Sequence, residues 1–400
     1  MKVVEGGITA PKGYQANGLH CGIKKSGKPD LTLIYSKVPA TAAAVFTTNR
    51  FAAHHIVLDK ANLKNNLTRA IIINSGNANC AVGNKGLRDA ECVTGMLGAR
   101  LGIAPGLILM ASTGIIGKRL PVDKIEDALP LLTDRMSKKK YAAASRAIMT
   151  TDKKPKQIAV KFDIAGKNVY IGAMAKGAGM IEPNMATMLC FITSDISIEP
   201  VALKRALKMA VNDSFNRITI DGDTSTNDTV IAMANGLAGN KKLTLADRSG
   251  FFSFLQALKF VCRYLAKQIV LDGEGATKFI GIKVKGALNE GQADKVARRI
   301  AKSPLFKAAM FGGDPNWGRV AAACGSSGVS INPNKIEIYF GQTAVFKNGV
   351  PLEADRNSLK RLLRKREIEL NLNLNQGDAE AFIWTCDLSE EYVRINARYD

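Results

Sequence analysis

Lys176-Gly177-Ala178-Gly179-Met180-Ile181-Glu182-Pro183-Asn184-Met185-Ala186-Thr187-Met188-Leu189 sets a lone lysine and a glycine-rich turn ahead of a threonine that opens an apolar run. A threonine hydroxyl is a weak nucleophile unless a base stands within hydrogen-bond reach. Making that threonine a new N-terminus supplies the base. Its own α-amine has an ordinary pKa of about 7.7–8.0, so a useful fraction is neutral near pH 7. The Ala186–Thr187 bond is therefore read as self-cleaving, and Thr187 as the nucleophile it releases.

Acyl transfer through such a nucleophile passes a tetrahedral oxyanion that needs fixed donors. Met110-Ala111-Ser112-Thr113-Gly114-Ile115-Ile116-Gly117 offers them, because a strand ending in Thr-Gly presents a hydroxyl and a backbone N–H with no side chain in the way. Glu274 lies between Gly273 and Gly275, which let a carboxylate approach a ligand closely. The string from Asp221 to Asp228 holds three aspartates but lacks the Gly and terminal Glu of a calcium loop, so no metal is expected there. Its hydroxyl and carboxylate groups are expected to cap helices and hold loops.

Taken together, these strings resemble the glutamate N-acetyltransferase (ornithine acetyltransferase) family of arginine biosynthesis. The resemblance runs over essentially the whole chain, with its most specific motifs at 110–117, 176–189, 221–228, 271–278, 312–319 and 392–399. It implies an α chain of residues 1–186 and a β chain of 187–400 forming one catalytic unit. Acetyl would pass from N-acetylornithine to Thr187 and then to glutamate. The resemblance assigns the oxyanion hole to Thr113 and Gly114, and substrate contacts to Thr150, Lys176, Glu274 and Asn396. Lys176 would bind a substrate carboxylate; Glu274 would hold the substrate α-amino group and assist proton transfer. No metal or organic cofactor is implied, acetyl-CoA is a possible further donor, and the assembly would be a heterotetramer of two α and two β chains. The family usually continues past the C-terminal motif with a hydroxyl residue that joins the site, whereas this sequence stops at Asp400. Either that contact is absent or another group supplies it.

Elements to position these groups are legible as an alternation of strands and helices. Strands are expected at 70–74, 107–111, 187–193, 279–284, 335–340, 368–374 and 380–385, with a hairpin of 158–163 and 169–175 around Ala165-Gly166-Lys167. Helices are expected at 87–101, 121–132, 201–211, 251–271 and 358–366. This is an α/β (α+β) pattern without GxGxxG or GxxxxGK[ST], so it gives nucleotide phosphates no cradle. The resemblance sharpens it to a layered sandwich, mixed sheets flanked by helices, of the self-cleaving N-terminal-nucleophile type.

Seven scattered cysteines, never spaced as CxxC, suit free thiols in a reducing compartment, and the N-terminus lacks a signal peptide's apolar core. A cytoplasmic location without membrane association is expected. The net charge of +21 raises nucleic acid as a partner, but the basic residues are dispersed and accompany no recognition motif. A solvated basic surface that attracts small dicarboxylates accounts for it. Only His20, His54 and His55 are present and no GxSxG occurs, against a Ser-His-Asp hydrolase. Two other readings stay open: a self-processed N-terminal-threonine amidohydrolase or aminopeptidase, and a basic nucleic-acid binder.

Overall fold

Ala70, Ile71, Ile72 and Ile73 are apolar without alternation, a pattern that suits a strand covered on both faces. The computed structural model, which describes residues 1–182 and 188–397 (Arg356 by its backbone alone), has that arrangement. Ala70 and Ile72 pack with Val93 and Leu97 of the helix Lys85–Leu101 and with Ile125 and Leu129 of the helix Val122–Asp134. Ile71 and Ile73 belong instead to a second cluster, with Leu109, Met174, Leu189, Phe191 and Ile231.

Two compact units make up the chain. The first comprises Met1–Gly177, Pro183–Asn216 and Thr224–Ile269. Its strands among the described residues are β1 (Lys2–Val4), β2 (Tyr14–Leu19), β3 (Leu31–Phe46), β4 (Leu67–Asn77), β5 (Ile108–Ile115), β6 (Lys156–Ile164), β7 (Lys167–Lys176), β8 (Leu189–Ser194) and β9 (Thr229–Ala234). They follow the order β1-β6-β7-β8-β9-β3-β4-β5, with β2 also on β3. The pairs β8–β9 and β4–β5 are parallel and the others antiparallel.

The long strand β3 folds this sheet over. Its register on β4 breaks between Tyr35 and Ala40; before the break it pairs with β2, after it with β9. In a flat sheet β5 and β7 would stand about five strand spacings apart, roughly 24 Å. Yet Lys176 of β7 hydrogen-bonds Thr113 of β5 at 3.0 Å. The two halves of the sheet therefore face each other across the cluster of Ile71, Ile73, Phe191 and Ile231. Helices Lys85–Leu101 and Val122–Asp134 cover one outer face. On the other, Phe254 and Cys262 of the helix Arg248–Leu271 meet Phe162 of β6 and Cys190 of β8.

The second unit comprises Ala178–Glu182, Arg217–Asp223 and Val270–Asp400. Its strands are β10 (Phe279–Ala287), β11 (Glu337–Phe340), β12 (Thr343–Lys347), β13 (Val350–Pro351), β14 (Glu367–Asn373) and β15 (Ala379–Cys386), in the order β13-β12-β11-β14-β10-β15. Ile280, Ile282 and Val284 alternate along β10 and pack with Val296, Ala297 and Ile300 of the helix Glu290–Ala301.

The expected elements are present, most with ends moved by a few residues. The hairpin closes on Ala165-Gly166, with φ of 49° and 79°, inside the Ile164–Lys167 pair. That is the left-handed pair a two-residue hairpin turn needs. The strand expected from Thr187 is described from Leu189, and Thr187 itself lies outside the described residues. The sequence reading passed over β3, where Pro39 and four alanines conceal a bent strand.

Candidate active site

Lys176 ends β7, pairing with Leu189 of β8, which in turn pairs with Thr229 of β9. Its side chain is buried, and Nζ donates to Thr113 Oγ1. An ammonium only donates, so the Thr113 oxygen accepts and its own proton is left to point elsewhere. Gly114 follows with φ +135°, where a Cβ would fall 2.3 Å from Gly76 C and 2.5 Å from Asn77 N. Only glycine fits that backbone. The Thr-Gly step coincides with a register shift between β4 and β5, an irregularity of the kind that re-aims side chains. Asn227 pins it from below, its Nδ2 donating at 2.7 Å to both Ala78 O and Ser112 O. Ser112 Oγ donates to Asn74 Oδ1 at 2.6 Å.

Beside Lys176 stands buried Asp152. Its Oδ1 accepts from Lys156 Nζ at 2.6 Å and from the Gly177 N–H at 2.8 Å; Oδ2 accepts from the Thr150 N–H at 3.0 Å. Burial pushes this carboxyl up, but the charges of Lys156 and Lys176 and the Gly177 N–H outweigh it and hold the pKa at about 2. Lys24 passes over Gly76, and its Nζ donates to Met149 O at 2.6 Å and Pro29 O at 2.8 Å. Burial, with the repulsion of Lys176 set against the attraction of Asp30, lowers its pKa to about 8.

Asp228 stands just before β9 and is 1% exposed. Burial drives its carboxyl well above the ordinary range, against the opposing pull of Ser225, Lys176, Thr47 and the Met188 N–H. Oδ2 has no hydrogen-bond partner among the described residues. Met188 is its neighbour across the strands: Leu189 pairs with Thr229, and the Thr229 N–H donates to Met188 O at 3.0 Å.

In the second unit, Glu274 is buried and its N–H donates to Ala178 O at 2.8 Å. The carboxylate lies where a side chain on Gly179 would be, since a Cβ there would fall 2.3 Å from Oε2. Asn396 Nδ2 donates to the same Oε2 at 2.9 Å and to Tyr392 O at 2.9 Å. Asp221 secures the adjacent loop by accepting from the Met180 N–H at 2.6 Å and the Ile181 N–H at 2.8 Å. The aspartate-rich string thus holds loops, as expected, and caps no helix through Asp221, Asn227 or Asp228.

Among the residues singled out from sequence, Thr113, Gly114 and Lys176 come together in the first unit, with Thr150 tied to them through Asp152. Glu274 and Asn396 come together in the second. Ala186 and Thr187 lie outside the described residues. The sequence reading missed Lys24, Asp152 and Lys156, and gave Asn227 and Asp228 no individual role. An Asp and a Lys four residues apart were the only local signal for the buried pair. Among the described residues no cluster of His, Cys, Asp and Glu is placed to hold a metal ion, and no helix is long and apolar enough to cross a membrane.

The ArgJ family model matches residues 15–400. The chain is 45% identical, over the full length of both, to the arginine biosynthesis bifunctional protein ArgJ of Symbiobacterium thermophilum. It is 44% identical, again over the full length of both, to the glutamate N-acetyltransferase of Methanocaldococcus jannaschii. The crystal structure of the arginine biosynthesis bifunctional protein argJ from Bacillus halodurans is similar, with a TM-score of 0.51 and 43% identity, covering 53% of this chain and 99% of that one.

Proposed function

The chain belongs to the ArgJ family, and on that premise we propose that it is a glutamate N-acetyltransferase of arginine biosynthesis, taking acetyl from N-acetylornithine and giving it to glutamate. It works as two chains, 1–186 and 187–400, produced by its own Thr187. The Thr187 hydroxyl attacks the Ala186 carbonyl, the peptide C–N bond breaks as the nitrogen takes a proton, and water opens the resulting ester. The Bacillus halodurans chain supports the cut: almost all of it matches 53% of this chain, the share that residues 187–400 would occupy alone.

In turnover the freed α-amine takes the Thr187 hydroxyl proton as the oxygen bonds to the acetyl carbon of N-acetylornithine. The amine then returns that proton to the departing ornithine nitrogen, leaving acetyl-threonine. Glutamate attacks through its amino group and leaves as N-acetylglutamate. Having base and nucleophile on one residue fixes their geometry, and such positioning can be worth about 7–11 kcal/mol. Thr113 and Gly114 receive the oxyanion. Lys176 has a double task, carrying a substrate carboxylate and orienting the Thr113 hydroxyl by occupying its lone pair. Glu274, with Asn396 on its carboxylate, holds an α-amino group.

The observation that carries this reading is the Lys176–Thr113 bond beside a step only glycine can make. It provides a hydroxyl whose proton is uncommitted among the described residues, next to a cation, as acyl transfer needs. Relatives named bifunctional and a relative named glutamate N-acetyltransferase match at nearly the same identity, so likeness alone does not decide the use of acetyl-CoA. The test is an acetyl-transfer assay on purified protein with N-acetylornithine or acetyl-CoA as sole donor. Formation of N-acetylglutamate from N-acetylornithine is expected. Release of free acetate with no N-acetylglutamate would make the protein an amidohydrolase instead.

A further inference from the structure

A lysine drawn half out of water usually keeps an anion beside it. Lys24 is half-buried and has none: its Nζ donates to two neutral acceptors, Met149 O at 2.6 Å and Pro29 O at 2.8 Å, and forms no ion pair among the described residues. An ammonium has three donors, so one is left uncommitted among those residues. The nearby carboxylates are engaged elsewhere. Asp30, fully buried, accepts from the Cys21 N–H at 2.6 Å and from the Lys24 N–H at 2.9 Å, and lies 3.1 Å from His20 Nδ1. Asp152 accepts from Lys156, Gly177 and Thr150.

The fold carries this cation to the site from a distant stretch of sequence. Asp30 O accepts from the Ser75 N–H at 2.8 Å, which fixes the loop 21–30 on the end of β4. The Lys24 stem lies across Gly76, where a Cβ would fall 3.0 Å from Lys24 Cγ. Gly76 in turn abuts Gly114, and Met149, whose carbonyl Lys24 holds, precedes Thr150. Lys176 is close enough for its charge to press on Lys24. Lys24 therefore stands among Gly114, Thr150 and Lys176, residues that the proposed function sets around the substrate.

Resting on that reading and deepening it, we infer that Lys24 is the second carboxylate-binding cation of the site and selects the acceptor, taking one carboxylate of glutamate while Lys176 takes the other. Glutamate has two carboxylates. N-acetylornithine has one, with an ammonium where glutamate ends in its second, so a pocket that admits both in turn meets opposite charges at the same end. Lys24 suits that task, because burial brings its pKa to about 8. Asp30 and Lys28 on its own loop, with Asp152 and Lys176 beyond it, are the charged groups that face it; the two carboxylates oppose the shift and the two lysines add to it. Beside a carboxylate such a lysine holds its proton, and beside an ammonium it gives the proton up readily.

The experiment measures glutamate and glutamine as acceptors, and N-acetylornithine as donor, with wild type, Lys24→Met and Lys24→Arg. Methionine keeps a stem over Gly76 and removes the charge; arginine keeps the charge. A hydrogen bond to a charged group is worth about tenfold to a hundredfold in binding. Lys24→Met should therefore raise KM for glutamate by that factor, move KM for N-acetylornithine far less, and lose most of the preference for glutamate over glutamine. Lys24→Arg should keep the preference, and its KM for glutamate should stay level where that of wild type climbs above about pH 8. A Lys24→Met protein with the wild-type KM for glutamate overturns the inference. So does an equal loss for both substrates, because Lys24 would then only support Met149. Calorimetric binding of glutamate and glutamine to wild type and Lys24→Met needs no turnover and separates this inference from the proposed activity. Wild type that favours glutamate, Lys24→Met that does not, and no acetyl transfer by either would refute the activity and leave the role of Lys24 standing. Wild type that binds the two equally overturns the inference whatever its activity.

Discussion

Replacing Gly114 by alanine perturbs the backbone step proposed above to hold the oxyanion donors, where β4 and β5 meet. The added Cβ would sit 2.3 Å from Gly76 C, and both atoms belong to the paired ends of β4 and β5. Ordinary contact begins near 3.4 Å, so one backbone must give by about 1 Å. A side chain at φ +135° adds strain on the order of 1–3 kcal/mol. Displacing a donor by about 1 Å removes most of its bond to the oxyanion, and losing one such donor costs about a hundredfold to a thousandfold in kcat. Steady-state kinetics with N-acetylornithine and glutamate should show that loss, with KM much less affected. Gly95→Ala is the control. Its Cβ meets nothing within 4 Å on the helix Lys85–Leu101, and it should add about 0.5–1 kcal/mol of stability without touching kcat. A Gly114→Ala protein with kcat within about threefold of wild type would refute the assignment of this step to the oxyanion.

Three other outcomes follow from the same geometry. Lys176→Ala should raise KM for the carboxylate substrates and also lower kcat, because Thr113 loses the donor that orients it; an effect on KM alone would confine Lys176 to binding. Asp152 should make the fold acid-sensitive. Its folded pKa of about 2 lies below the ordinary carboxylate value, so the stability it contributes is present above about pH 4 and drains away as pH falls towards 2, roughly 2 kcal/mol in all. Urea unfolding across that range measures it, and a flat profile would contradict the ion-pair account. Asn227→Ala should strand the carbonyls of Ala78 and Ser112, costing about 1–3 kcal/mol each way a buried group is left unpaired, and should lower kcat through Thr113. A stable variant with full activity would remove Asn227 from the support of the site.

The parts of the site legible in sequence are those whose chemistry is local. Thr113-Gly114 could be read because the hydroxyl and the unobstructed N–H are consecutive, and Glu274 because glycines flank it. Lys176 was visible, but its bond to Thr113 was not, since 63 residues separate them and the contact exists only because β3 bends the sheet over. That bend hid behind Pro39 and the alanines after it, a composition that disguises a strand. Asp152 and Lys156 look like solvated charges in sequence, and only burial on all sides turns them into a pair. The aspartate-rich string announced its density of polar groups. It could not say that Asp221 would hold one loop while Asn227 held another.

Intact mass and N-terminal sequencing of the purified, active protein bear most directly on the central claim. The account predicts two chains, one ending at Ala186 and one beginning Thr-Met-Leu, and it predicts that Thr187→Ala abolishes both the cut and the transfer. A single uncut chain with full acetyltransferase activity would contradict it.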